Sequence, residues 1–344
     1  MTTLVTGATG FVGSHVARQL VSAGQSVRVL VRPNSNLKFL AGLKLEYFEG
    51  DLRDQRSLER AMHGVRRVFH VAADYRLWTP RPEEIYEINV EGTRKLLDAF
   101  AAQNSAVERL IYTSTVATIA VPRPGALPNE STQATFDEMI GHYKRSKFLA
   151  EKLVLERASA GMPVVIVNPT APVGPSDWKP TPTGRIILDF LQGKMPAYVD
   201  TGLNVAPVED IAAGHLLAAE KGRAGERYIL GGRNMTLKQI LDALSAITGR
   251  PAPRVRLPHA VALAAGYADQ LFSRLAGRRP QIPVEGVKMS RHRMFVESDK
   301  AARELGYKTT SVEAALERAV NWYQQHGYLD TGAGHKPVVH ATAA

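Results

Sequence analysis

No cysteine occurs among the 344 residues, which excludes disulfides, thiolate catalysis and cysteine-based metal sites. Long apolar runs are missing as well: no window reaches the roughly 18 apolar residues that a membrane span needs. The N-terminus enters Thr3-Leu4-Val5 with neither a basic leader nor a cleavage site, so a cytoplasmic location is expected. Low-complexity blocks and internal repeats are absent, and the hydrophobic (44%) and charged (22%) fractions are those of a globular chain. The histidines have no ligand-like spacing, so no metal is expected. The net charge is +10, but Lys and Arg are spread along the chain without a nucleic-acid recognition motif. No nucleic-acid partner is expected; steering of an anionic cofactor or substrate accounts for part of the excess.

Present instead is an alternation of short β-branched runs with amphipathic stretches. Thr3–Thr6, Ser26–Val31, Leu45–Phe48, Arg67–Val71, Arg109–Ser114 and Val164–Asn168 read as strands. The alternation implies right-handed βαβ crossovers and an α/β fold with a doubly wound, Rossmann-type parallel sheet. The Pro- and Gly-rich stretch from Pro169 to Gly184 breaks the pattern, and a smaller interleaved C-terminal α/β substrate region is expected after it. The expected divisions are 1–168 for dinucleotide binding, 169–330 mostly for substrate, and 331–344 as a flexible tail. Pro207–Glu220 and Arg227–Leu230 are candidate returns to the first domain.

Strand Thr3–Thr6 runs directly into Gly7-Ala8-Thr9-Gly10-Phe11-Val12-Gly13 and then a helix. In such a turn the first glycine permits the bend, the second lets backbone approach a pyrophosphate, and the third lets the helix pack on the sheet. Residues Gly7, Thr9, Gly10, Phe11, Val12 and Gly13 are therefore candidate cofactor ligands. Where an acidic residue after the second strand would bind a free ribose hydroxyl, this chain has Val31-Arg32-Pro33. Arg32, with Arg28 on the same strand, suits a 2′-phosphate, so NADP(H) is the expected cofactor and NAD(H) the alternative. Asp51 and Leu52, after the third strand, are expected beside the adenine.

Tyr143 and Lys147 lie four apart on a predicted helix and share one face. A neighbouring ammonium stabilises a phenolate, which makes a tyrosine usable as an acid or base. The hydroxyl cluster Tyr112-Thr113-Ser114-Thr115 ends the fifth strand, where open α/β sheets bind their ligands.

These motifs, together with Gly50-Asp51-Leu52, His70-Val71-Ala72-Ala73, Asn89-Val90-Glu91-Gly92-Thr93 and Asn168-Pro169-Thr170, resemble the extended short-chain dehydrogenase/reductase superfamily. Within this NAD-dependent epimerase/dehydratase superfamily the chain is most similar to the dihydroflavonol-reductase-like branch, and there to the hopanoid-associated sugar epimerase group. The resemblance implies Thr115 as the catalytic hydroxyl, Tyr143 as the proton donor or acceptor, and Lys147 as a residue that also holds the nicotinamide ribose. It further implies that Ala72 and Ala73 line the cofactor, that Ser114, Asn168 and Thr170 lie around the nicotinamide, and that the chain pairs as a homodimer.

Two features rank the activities. Arg32 suits a dissociable NADP(H), and Val165 to Pro172 matches only in part the Arg-Tyr-Phe-Asn-like segment of sugar-nucleotide epimerases. Reduction of a carbonyl, or oxidation of the matching alcohol, is therefore the expected reaction. An NAD-retaining sugar-nucleotide epimerase or dehydratase is the alternative, and a non-catalytic dinucleotide-binding protein the third reading. The expected substrate is a small molecule or a lipid-linked sugar or polyol, with Tyr75, Trp78 and Thr115 at its pocket. The amphipathic segment Leu257 to Leu275 reads as a core-facing helix, with peripheral membrane contact as its alternative.

Overall fold

The computed structural model describes residues 2–103, 107–121, 126–278 and 280–329; the expected tail at 331–344 lies outside them. The described strands are β1 (Thr2–Thr6), β2 (Ser26–Val31), β3 (Glu46–Glu49), β4 (Val65–His70), β5 (Arg109–Thr113), β6 (Val164–Pro169), β7 (Ala171–Val173), β8 (Ala197–Val199), β9 (Gly202–Pro207), β10 (Arg227–Leu230), β11 (Arg233–Thr236) and β12 (Val255–Leu257). Seven of them form one sheet in the order β10-β6-β5-β4-β1-β2-β3, and every pair in it is parallel. This is the doubly wound, Rossmann-type architecture.

The sheet forms because its inner strands are apolar on both sides. Leu4, Val68, Leu110 and Ile166 enter one core cluster, while their neighbours Val5, Phe69, Ile111 and Val167 enter the cluster on the opposite face. Alternation along each strand thus supplies two layers at once. The order in which the chain adds strands switches sides between β1 and β4, so a crevice opens at the carboxyl ends of those two strands, the usual ligand position in such sheets.

The later chain comes back to this sheet. Helix Val208–Lys221 packs against helix Phe11–Ser22, and β10 adds to β6. A separate cluster of Ile187, Leu188, Leu241, Leu316 and Val320 holds the smaller sheets, β11-β9-β7 and β12-β8. Helix Leu237–Thr248 there is bounded on both sides: Thr236 and Gln239 form a capping box, and Gly249 ends it at φ +71.

Helix His259–Leu275 departs from its expected core-facing role. Only Gly266 and Ser273 are buried, because its close contact with helix Val284–Met289 accepts small residues alone. Val261, Tyr267, Leu271, Phe272 and Leu275 are exposed. No helix among the described residues is long and apolar enough to cross a membrane.

Candidate active site

The glycine turn is shaped by backbone crowding. Gly7 has φ +73, and a Cβ there would lie 2.5 Å from the Ala72 backbone nitrogen. A Cβ on Gly13 would lie 2.2 Å from the Gly7 carbonyl oxygen, so no larger residue leaves the turn intact. The Gly10 N–H donates to the Gly7 carbonyl at 2.9 Å. Helix Phe11–Ser22 then starts with no side-chain cap and no acidic residue in its first turn. Its N-terminal N–H groups and positive dipole end are left for an anion. Thr9, Gly10 and Val12 keep partial exposure around it, whereas Phe11 is buried. Ala72 and Ala73, just beyond β4, complete the rim and are also part-exposed.

At the ribose end the arginines separate. Arg28 is committed to structure: it bonds the Glu46 carboxylate at 2.8 Å and the carbonyls of Ala61 and His63 at 2.7 and 2.8 Å. Arg32 is exposed and closes a turn, its N–H donating to Ser35 Oγ at 3.0 Å. The Asp51 carboxylate is gripped by Arg53 through two bonds of 3.0 and 2.8 Å. Arg53 therefore holds Asp51 below the usual carboxylate range, with a smaller contribution from the charge of Arg32. Leu52 is buried beside them.

Strand β5 stops at Thr113, which leaves Ser114 and Thr115 in the loop at its carboxyl end. The Thr115 hydroxyl accepts from the Ala117 N–H at 3.2 Å, capping a short 3-10 turn, and lies close enough to Tyr143 to influence its phenol. Tyr143 lies in the first turn of helix Gly141–Ser159. Burial raises the Tyr143 phenol above its ordinary value and the Thr115 hydroxyl lowers it, with burial the larger effect. Lys147 is buried one turn on; its Nζ donates to the Tyr112 hydroxyl at 3.0 Å and to the Thr113 carbonyl at 2.8 Å. Burial pushes Lys147 down to about 7, against an opposing pull from Glu151. The sequence places an ammonium beside the tyrosine; the structure adds that this ammonium is anchored on β5.

The motifs that contain His70, Asn89 and Thr93 do not indicate what these residues hold in place. The Asn89 amide donates to Ser146 Oγ at 2.9 Å and to the Asp74 carbonyl at 2.8 Å, and Ser146 donates to the Tyr143 carbonyl at 2.8 Å. This ties the catalytic helix to the loop after β4. His70 bridges Thr6 Oγ1 at 2.8 Å and Thr93 Oγ1 at 3.1 Å; burial, with the charge of Lys147, drives it down to about 3 and keeps it neutral.

Asn168 is fully buried. Its amide nitrogen donates to the Thr115 carbonyl at 3.1 Å and to Glu151 Oε2 at 2.9 Å, so that side of the amide serves the loop rather than a ligand. Thr170 donates to the Leu230 carbonyl at 3.3 Å. Two buried oxygens, Ser114 Oγ and Asn168 Oδ1, have no protein partner, and a bound polar group is what normally satisfies such atoms. With the uncapped helix and the crowded glycines, they fit a dinucleotide. Tyr75 is close enough to Tyr143 for the two to interact electrostatically; burial raises Tyr75 to about 12, and its hydroxyl donates to the Lys179 carbonyl at 3.3 Å. Trp78 is part-exposed on the same loop.

An anion-receptive glycine turn and a Thr115, Tyr143, Lys147 set at one sheet edge define an enzyme that moves hydride with a tyrosine as its acid or base. The chain belongs to the NAD dependent epimerase/dehydratase family, whose model matches residues 3–231. It is 46% identical over 331 residues to a Synechocystis sp. protein provisionally named dihydroflavonol 4-reductase, covering 95% of this chain and 96% of that one. Among solved structures it is similar to PA4631, a nucleoside-diphosphate-sugar epimerase from Pseudomonas aeruginosa (28% identity, TM-score 0.79, 96% and 99% of the two chains). It is also similar to a double mutant of the dTDP-glucose 4,6-dehydratase DesIV from Streptomyces venezuelae with NAD bound (25% identity, TM-score 0.74, 95% and 98% of the two chains).

These findings overturn the NADP(H) preference. The family is NAD dependent by its own description, and the DesIV structure holds NAD. The physical reason lies at the ribose end: Arg28 is spent on the sheet, and Arg32 is an exposed turn residue whose charge falls on the Asp51 carboxylate. An arginine so placed can stack on adenine without selecting a 2′-phosphate.

Proposed function

We propose that the chain uses NAD(H) to oxidise and re-reduce one carbon of a sugar-like substrate, the epimerase or dehydratase mode of its family. The observation that carries the reading is the anchoring of Lys147 to the Tyr112 hydroxyl and the Thr113 carbonyl on the helix that bears Tyr143, with the Thr115 hydroxyl acting on the Tyr143 phenol. The sugar class is supported by the similarity to the Pseudomonas and Streptomyces proteins. A lipid-linked sugar, implied by the resemblance to the hopanoid-associated group, is the narrowest form of this proposal.

When bound, the dinucleotide supplies the hydride acceptor and donor. The chain's own residues handle the proton. Thr115 and Tyr143 hold the substrate oxygen between two hydroxyls, and Tyr143 takes its proton as the carbinol is oxidised or returns it as the carbonyl is reduced. Lys147, in its protonated form, offsets the negative charge that Tyr143 carries while deprotonated. Tyr75, whose high value keeps it protonated, serves as a pocket wall and hydrogen-bond donor.

A net carbonyl reduction with NADH is the second reading, favoured by the identity to the Synechocystis protein. Purification followed by mass spectrometry of any co-purified dinucleotide separates the two. Retained NAD, with turnover of a sugar substrate and no net change in nicotinamide absorbance, supports the first. Stoichiometric consumption of added NADH, with no retained dinucleotide, replaces it with the second.

A further inference from the structure

Helix His259–Leu275 turns its apolar face to water. Tyr267 is 50% exposed, Leu271 63%, Phe272 61% and Leu275 81%. At 100° per residue these four, with the exposed Val261, Ala264, Ala265 and Ala268, cover one continuous side of the helix and leave no charged residue within it. The polar and small side, carrying Gly266, Asp269 and Ser273, is turned to the body instead. Asp269 accepts from the backbone N–H groups of Gln281 and Ile282 at 2.5 and 2.8 Å, and Gly266 packs near Val284. This inverts the arrangement of an ordinary surface helix.

The surroundings are strongly basic. Residues 254–293 hold eight Lys and Arg against Asp269 and Glu285, a formal surplus of +6 within the net +10 of the chain; of these cations Arg256 and Arg293 pair with Asp200 and Arg278 with Asp269. The cations frame the apolar face: Arg278 lies 5.3 Å over the Phe272 ring and Lys288 5.6 Å over Tyr267, while Arg274 is exposed at the helix end. Apolar residues on one side and cations at its edges are the features that hold a helix in the plane of an anionic bilayer. A second copy of the chain is disfavoured as the occupant, since the same surplus of positive charge would face itself.

We infer that helix His259–Leu275 is a docking element for an anionic lipid surface. Its place in the fold gives that docking a direction. Helix Val284–Met289, on which it rests, meets the start of the catalytic helix: Glu285 abuts Gly141, and Leu77 lies against Gly286. A bilayer under the docking helix therefore lies on the same side of the molecule as the residues leading to Tyr143. The inference does not depend on the reaction proposed above.

Co-sedimentation of the full chain with vesicles tests it. With phosphatidylcholine vesicles containing phosphatidylglycerol the wild type is expected to sediment; with phosphatidylcholine alone binding falls at least tenfold, since each basic residue near an anionic surface contributes roughly a factor of five. Leu271→Asp/Leu275→Asp, whose side chains touch no core, is expected to keep its thermal midpoint and lose binding to the anionic vesicles more than tenfold. Arg274→Glu should weaken it less. A wild type that stays in the supernatant overturns the inference, as does equal sedimentation of the Leu271→Asp/Leu275→Asp variant. Light scattering that shows a dimer abolished by the same two substitutions would assign the face to a second copy.

Discussion

Lys147 donates from Nζ to the Tyr112 hydroxyl at 3.0 Å, so the cation of the catalytic helix is held by a strand residue that itself never reaches the substrate loop. Burial raises Tyr112 well above its ordinary value, which keeps its hydroxyl neutral beside the ammonium. Tyr112→Phe retains the ring and removes the acceptor. Hydrogen bonds to charged groups are worth about 1.5–3 kcal/mol, so Lys147 should lose its proton at lower pH. We expect kcat/KM to fall about tenfold and its alkaline limb to move to lower pH, read from a pH profile; an unchanged limb would contradict the coupling.

Lys144 offers a stability test with a defined sign. It is buried, and among the described residues its recorded hydrogen-bond partner is the Met294 sulfur at 3.8 Å; burial lowers it from 10.5 to about 8. The folded state therefore pays for a buried charge at every pH below about 8, and the penalty fades as pH rises from there towards the unfolded value of 10.5. A shift of this size corresponds to about 3 kcal/mol. Lys144→Met should raise the thermal midpoint at pH 6 to 7 by the largest margin, with the gain shrinking towards pH 10 (about the end of that window). A gain that grows with pH would refute the assignment.

The glycine turn makes a sharper structural prediction. Gly13→Ala forces a methyl against the Gly7 carbonyl, 2.2 Å away, and backbone cannot yield as a flexible side chain does. Destabilisation of about 1–3 kcal/mol is expected, measured by denaturant unfolding, with weakened NAD binding by calorimetry. Wild-type values for both would show that the turn is looser than its geometry implies.

Much of this was legible in the residues because the signals are local. The apolar runs of β1, β4, β5 and β6 announce strands buried on both faces, and the four-residue spacing of Tyr143 and Lys147 announces a shared helix face. Contacts between distant residues were not legible. Asn89 meets Ser146 across 57 positions and Glu151 meets Asn168 across 17, and neither pairing has a period or a spacing rule. Periodicity also identified helix His259–Leu275 as amphipathic but could not say which face met the body. Arg32 illustrates a third failure: one arginine at a strand end is compatible with phosphate binding, ring stacking and plain solvation, and the phosphate reading falls to the NAD-dependent family and to the commitment of Arg28 to the sheet.

Arg32→Ala follows from that correction. An exposed arginine with no phosphate to bind contributes at most about 1 kcal/mol, so NAD affinity should change by less than about fivefold. Calorimetric titration of both proteins with NAD checks this; a loss far beyond that range would restore a direct ligand role to the guanidinium.

The central claim is that Tyr143 moves the proton while other groups hold the cofactor. Tyr143→Phe removes one hydroxyl and leaves the ring, the glycine turn and the Lys147 anchor in place. The most direct measurement pairs NAD binding with product formation from a panel of free and nucleoside-diphosphate sugars, in wild type and variant. The account predicts unchanged NAD affinity and turnover lowered by roughly 10²- to 10⁴-fold; full turnover by Tyr143→Phe with normal NAD binding would contradict it.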